Sequence, residues 1–186
     1  MDPAHSVVGF TVRHLGLANI RGRFSEVGGR IEIAEQVERS SVHATIAIAS
    51  LDTGNALRDA HVRSADFLDA ERFPTMEFRG SGLSQASENA WVLDGQLSLH
   101  GEVRGVRLEV AYQGVGGDPF GGTRAAFKAT TTLNRDDFGV SYNQILRAGA
   151  VLIGSEVRVE LDIEAVQGTT LPELDVDSGE SVSAAL

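Results

Sequence analysis

The sequence predicts an all-β protein, built as an antiparallel sheet of about eight strands that closes into a barrel. Three observations support this fold class. Eight or nine segments alternate apolar and polar residues with a period of two. The segments are joined by short connections rich in glycine. The 186 residues include 21 glycines and only 4 prolines, a ratio typical of turns and bulges in β-proteins.

The first strand shows the alternation most clearly. One face carries Val8, Phe10, Val12 and His14, and the residues between them belong to the other face. The later segments repeat this pattern with their own apolar faces. The predicted strands are 6–14, 20–24, 41–50, 75–83, 91–99, 106–112, 125–133 and 156–166. The chain that continues from residue 24 to residue 33 belongs either to the second strand or to a further strand.

Barrel closure is predicted because it removes the exposed edges of a meandering sheet. About eight strands is the size at which a barrel can enclose one small ligand. The barrel domain is assigned to residues 1–167. Residues 168–186, which contain no basic residue and no clear period, are interpreted as an acidic tail.

Residues 52–78 interrupt the strands with a helical segment. Asn55 is a residue type that begins helices, and the Asp59/Arg63 spacing suits an ion pair along one helix face. Ser64 is a candidate cap for a second short helix, which Pro74 would end. A helical segment between two barrel strands must cross an end of the barrel or pack outside it, so we expect it to form a cap.

Composition excludes several classes of function. The net charge of −10 argues against nucleic acid as a partner. The absence of cysteine excludes disulfides, thiolate catalysis and zinc–thiolate sites. No run of residues is long and apolar enough for a membrane span, and no leader precedes the first strand. We therefore expect a soluble, cytoplasmic protein, or an exported one if a leader has been removed.

Local motifs give no catalytic site. "RDDFG" at 135–139 shares letters with protein kinases, but the chain lacks the other kinase motifs. No two histidines have the spacing of a helical metal site, so no metal is predicted. An enzyme that uses His14, His61 and Asp59 remains an alternative that the sequence leaves open.

Four stretches in order together resemble the YceI-like family. They are "DPAHSVVGFTVRHLGLANIRGRF", "LDTGNALRDAHVRSADFLDAERFPTMEF", "GEVRGV" and "LNRDDFGVSYN". The resemblance covers about residues 2–166. It implies a lipocalin-like barrel with a helical segment around a long apolar tunnel. It also implies an isoprenoid ligand, either an isoprenoid quinone or a polyprenyl diphosphate, and no other cofactor.

If the barrel holds such a tunnel, apolar and aromatic residues of the strands and of the helical segment should line it. Phe10, Val12 and His14 share one face, and Leu57 and Phe67 should close the cavity from the helical segment. The predicted ligand-binding residues are Phe10, Val12, His14, Phe24, Ile46, Leu57, His61, Phe67, Phe78, Phe127 and Phe138.

The function expected from this reasoning is that of a binding protein or carrier for an isoprenoid lipid. Two alternatives remain: an enzyme that acts on such a lipid, and a stress-related barrel without a specific ligand. The sequence also leaves open whether the protein forms a homodimer, and it does not choose between the two head groups.

Overall fold

The computed structural model describes residues 1–119, 121–144 and 151–168. Within these ranges, ten strands form one antiparallel sheet, and one α-helix lies between the fifth and sixth strands. The strands are β1 Val7–His14, β2 Ala18–Phe24, β3 Val27–Glu32, β4 Ser41–Ala47, β5 Leu51–Asp52, β6 Thr75–Ser87, β7 Ala90–Leu99, β8 Glu102–Gly117, β9 Thr123–Asn134 and β10 Ile153–Val166. The α-helix, α1, is Ala56–Arg63, and 3-10 turns occupy Val37–Arg39, Ile48–Ser50 and Arg135–Phe138.

The sheet curls into a barrel-like shape. The strand order is β3-β4-β6-β7-β8-β9-β10-β1-β2-β5. β2 and β3 therefore lie near opposite edges of the sheet, although only Ser25 and Glu26 separate them in the chain. The amide of Ala47 donates to the carbonyl of Glu26 over 3.0 Å, which holds this link against the end of β4. The predicted all-β antiparallel fold is confirmed, with ten strands because β5 adds two residues and the segment 20–33 divides into β2 and β3.

Cross-strand register keeps the predicted apolar faces together. On β1 and β10, Val8 pairs with Leu161 and Phe10 pairs with Val159. Side chains of paired residues point to the same side of a sheet, so both pairs face the barrel interior. The period of two read from the sequence therefore predicts the inner face of β1 correctly.

The helical segment differs from its prediction in two ways. Asn55 caps α1 as expected, because its side chain accepts the amide of Arg58 over 3.0 Å. No second helix forms over 65–72, because Asp69 adopts a left-handed φ of 46° and the chain turns there. Asp59 and Arg63 do not pair. Asp59 is buried and accepts from Thr53, while Arg63 donates to the carbonyl of Leu51 over 2.9 Å.

The described residues end at Gly168, so the rest of the predicted acidic tail, 169–186, lies outside them. Within the described part of the chain, no helix has the length and apolarity needed to cross a membrane.

Candidate functional site

An apolar cavity of about 590 Å³ occupies the interior of the curled sheet. This volume falls within the range of roughly 300–1,000 Å³ that is typical of small-molecule sites. Inward side chains from the strands on all sides line it, so the cavity is a direct product of the alternation in the sequence.

Aromatic rings form part of the cavity wall. Phe10 and Phe24 lie with their ring centroids 5.6 Å apart on β1 and β2. On the opposite side, Phe78 of β6 lies across Gly95 of β7, where a Cβ atom would be 2.4 Å from the Phe78 Cζ atom. Glycine at position 95 therefore makes room for the ring, and a larger residue there would displace Phe78 from the cavity wall.

Three aromatic side chains close one end of the cavity, between α1 and the segment that follows β9. The rings of His61 and Phe67 lie 5.0 Å apart, and both contact Tyr142 with centroid distances of 5.2 and 4.9 Å. His61 Nε2 also lies 2.8 Å from the Asp66 carboxylate on the exposed side. Residues of the helical segment thus contribute to the cavity wall, and its role as a cap stays a prediction.

The charged groups that line the cavity are all basic. Arg13, Arg58 and Arg135 line it together with the two histidines His14 and His61, and the described lining contains no aspartate or glutamate. In a chain whose net charge is −10, the described cavity wall therefore carries basic groups and no acidic one.

Arg135 is the most buried of these cations, with 7% of its surface exposed. Its guanidinium donates to the carbonyls of Gly154 and Tyr142, each over 3.0 Å, and to Val140 over 2.5 Å. Burial lowers the pKa of Arg135, and the nearby Asp136 opposes that shift only in part. Because its partners are carbonyls, the positive charge of Arg135 is not neutralised by a carboxylate.

Arg58 reaches the cavity from α1. Its Nε atom donates to the Thr53 hydroxyl over 2.7 Å and its Nη2 atom to the Thr53 carbonyl over 2.8 Å. Asp59 accepts hydrogen bonds from the amide and the hydroxyl of the same Thr53. Asp59 is not part of the cavity wall. Asp59 is therefore separated from the histidines with which the enzyme alternative would combine it.

The structure brings ten of the eleven predicted binding residues to the cavity wall. They are Phe10, Val12, His14, Phe24, Ile46, His61, Phe67, Phe78, Phe127 and Phe138. Their contact with a ligand stays a prediction.

The prediction for Leu57 is wrong, because its side chain is 86% exposed. The side of α1 that faces the cavity is centred on Arg58 and Val62. Leu57 precedes Arg58 by one residue, which turns it about 100° around the helix.

Sequence reasoning missed many residues of the cavity, among them the polar or aromatic residues Arg58, Arg135 and Tyr142. Arg135 begins the stretch "RDDFG", whose letters alone predict no role in a cavity. Tyr142 belongs to the same "LNRDDFGVSYN" motif, and this motif was the available signal for both residues.

A second cluster of titratable groups ties the N-terminus to the barrel. Asp2, His5 and Glu164 bring their ligand atoms within 4.8 Å of one another, which is the spacing of a metal site. Arg124 already supplies the cation there, since its Nη1 atom donates to Asp2 and to Glu164, each over 2.5 Å. These carboxylates raise the pKa of Arg124. The cluster is therefore an ion-pair network that fastens residue 2 to β9 and β10.

Comparisons with known proteins agree with this architecture. The sequence pattern of the YceI-like domain matches residues 1–165. A UPF0312 protein of Vibrio cholerae is 36% identical over 165 residues, covering 88% of this chain and 83% of the relative.

Solved structures show the same fold at low identity. Burkholderia cenocepacia BcnA superposes with a TM-score of 0.77 at 21% identity, covering 88% of this chain and 98% of that one. A polyisoprenoid binding domain from Saccharophagus degradans superposes with a TM-score of 0.63 at 16% identity, covering 88% and 94%.

Proposed function

The chain belongs to the YceI-like family, and from this premise we propose that it binds an isoprenoid lipid in its cavity and acts as a carrier for that lipid. The proposed ligand is an isoprenoid quinone or a polyprenyl diphosphate. A polyisoprenoid binding domain with this fold, from Saccharophagus degradans, supports the choice of ligand class.

The observation that carries the proposal is the wall of the cavity, which consists almost entirely of hydrocarbon side chains from the barrel strands. Each CH₂-sized group of a ligand contributes about 0.8 kcal/mol when it moves from water to such a surface. A few isoprene units therefore suffice for tight binding without any specific polar contact. This also explains why the chain carries no catalytic motif for its ligand.

The basic groups suggest where the head group lies and what it is. Arg58 and His61 line the cavity at α1, and Arg135 adds a buried charge without a carboxylate partner. Such groups stabilise a head group that accepts hydrogen bonds, and they stabilise an anion more strongly than a neutral quinone. They therefore favour a diphosphate, in spite of the acidic protein as a whole.

The lining supports binding in preference to catalysis. Acid–base chemistry on a lipid would require a proton donor and a proton acceptor held together at the reacting atoms. Within the described lining, His14 and His61 have no carboxylate beside them that also faces the cavity. Asp66 contacts His61 from the exposed side.

Organic extraction of the purified protein, followed by mass spectrometry, tests the proposal. Native mass spectrometry of the same preparation should show a bound mass that matches the extracted isoprenoid, with about one lipid per chain. Protein that is free of lipid after expression, and that takes up no isoprenoid when one is supplied, would instead favour a barrel without a specific ligand.

A further inference from the structure

The turn between β1 and β2 carries exposed leucines beside residue Leu152 of the cavity wall. Leu17 is 81% exposed and Leu15 is 38% exposed. The amide of Leu15 donates to the carbonyl of Leu152 over 2.9 Å, and Leu152 lines the cavity. Val151, which precedes Leu152, is 49% exposed. Leu15, Leu17 and Val151, the exposed apolar residues on the two sides of this backbone hydrogen bond, are here termed the rim.

The backbone of the turn presents these leucines at an energetic cost. Leu15 has a φ of 57°, a left-handed conformation that glycine and asparagine adopt far more readily than leucine. A bulky residue that adopts a disfavoured backbone conformation, with its side chain partly in water, contributes little to the stability of the folded state. Such strain points to a role outside folding.

The chain segment that carries the rim leucines is basic, although the chain as a whole is acidic. Residues 3–25 contain Arg13, Arg21 and Arg23 and no acidic residue, although the chain holds 26 of them. Arg23 pairs with Asp52 over 3.2 Å. Within the described residues, Arg13 and Arg21 have no carboxylate partner, and Arg13 donates to the carbonyl of Leu17 over 3.2 Å.

We propose that the rim, together with Arg13 and Arg21, docks on the surface of an anionic lipid bilayer, so that this end of the cavity wall lies against the membrane. The inference rests on the proposed function, because an isoprenoid lipid resides in a bilayer before a carrier takes it up. Apolar side chains next to basic ones are the pair of signals that holds a protein reversibly at an anionic membrane.

Charge argues for a bilayer over a second copy of the chain. A symmetric contact between two rims would place Arg13 and Arg21 of one copy close to the same arginines of the other. An anionic surface instead pairs with these arginines.

Co-sedimentation with vesicles tests the proposal. The vesicles contain phosphatidylcholine alone or a mixture with phosphatidylglycerol. We expect the wild-type protein to bind the mixed vesicles and to be released by salt. In Leu15→Asn/Leu17→Asn, asparagine tolerates the left-handed turn, and binding should fall about tenfold or more. Arg13→Gln/Arg21→Gln should lose about fivefold for each arginine.

The matched control is Val115→Asn. Val115 is 63% exposed on β8 and pairs with Ala125 at the opposite end of the barrel from His14. This variant should bind the mixed vesicles like the wild type. Equal binding by the leucine variant and the wild type, or no binding by the wild type, would overturn the docking proposal.

Lipid extraction from the same samples separates the two proposals. A leucine variant that keeps its isoprenoid and loses vesicle binding supports docking. A wild-type protein that holds an isoprenoid but ignores vesicles overturns docking and leaves the carrier function standing. If the leucine variant differs from the wild type in self-association but binds vesicles equally well, the rim would be a contact surface for a second copy of the chain. That result would overturn the docking proposal.

Discussion

Phe10 on β1 lies across Gly22, its cross-strand partner on β2, and the ring occupies the space that a side chain at position 22 would need. A Cβ atom on Gly22 would be 2.4 Å from Phe10 Cζ and 2.8 Å from Thr53 Cγ2. The absence of a side chain at 22 therefore allows Phe10 to lie over the strand and to contact Phe24 inside the cavity.

Gly22→Ala should destabilise the fold, because the new methyl group would overlap the Phe10 ring. Inserting a methyl group into a packed site costs about 1–3 kcal/mol, which urea unfolding can measure. Gly28→Ala is the matched control, since no heavy atom lies within 4 Å of the added Cβ position. Equal losses in the two variants would show that the Phe10 ring moves aside freely.

Asp59 should stabilise the start of the cap. Its Oδ1 atom accepts the Thr53 amide over 3.0 Å and the Thr53 hydroxyl over 2.5 Å. Asp59→Ala leaves that amide without its partner at a buried site, which should cost about 1–3 kcal/mol of unfolding free energy. Hydrogen exchange of α1 should accelerate in parallel.

The control for Asp59 is Asp66→Ala, which removes an exposed partner of His61 and should cost about 1 kcal/mol or less. If both variants lost the same stability, the link between Asp59 and Thr53 would have no special role in holding the cap.

The Asp2 network should make stability depend on pH in the acid range. Burial alone would raise the pKa of Asp2, but hydrogen bonds from Arg124, His5 and the Ala4 amide outweigh it and lower the pKa to about 2. The folded-state pKa lies below the ordinary value of about 3.9. The contribution of Asp2 is therefore complete above about pH 4 and is lost as the pH falls through about 2.

Asp2→Asn should accordingly unfold more easily than the wild type at neutral pH, by about 1 kcal/mol because solvent screens part of the interaction. Thermal unfolding across the acid range should show this gap closing as the pH approaches 2. A gap that stays constant over the whole range would mean that the charge of Asp2 does not contribute.

Catalysis is expected to be absent. We predict no repeated turnover of a prenyl diphosphate or a quinone, with or without a divalent metal, because the described part of the cavity lining holds no carboxylate to complete an acid–base pair. Product analysis after long incubation would detect turnover. Activity that disappears in His14→Ala or His61→Ala would promote the enzyme alternative.

Strand faces could be predicted from the sequence because their period of two is local and strict. Phe10, Val12 and His14 reach the cavity for that reason, and the cross-strand register carries the same alternation around the sheet. The ends of the strands were less predictable: β8 runs from Glu102 to Gly117, beyond the predicted 106–112.

The cap and the charged groups were not predictable in this way. The exposure of Leu57 depends on how α1 is rotated over the barrel, and packing, not local sequence, sets that rotation. The environment of Arg135 requires carbonyls from residues as distant as Gly154, 19 positions along the chain. No local sequence pattern indicates the exposure of Leu57 or the environment of Arg135.

The most direct test of the carrier account compares Phe10→Asp with Thr11→Asp. Phe10 lines the cavity, whereas Thr11 has the opposite strand parity and its cross-strand partners are Arg21 and Arg158. A carboxylate at 10 would face hydrocarbon, at a cost of several kcal/mol or with its pKa forced upward, while one at 11 would face two cations.

The measurement is the isoprenoid content of the wild type and both variants after organic extraction, with circular dichroism to show that each variant keeps its β-structure. We predict that Thr11→Asp carries as much isoprenoid as the wild type and that Phe10→Asp carries little. Equal isoprenoid content in all three proteins would mean that the lipid lies outside the cavity, and it would contradict the carrier account.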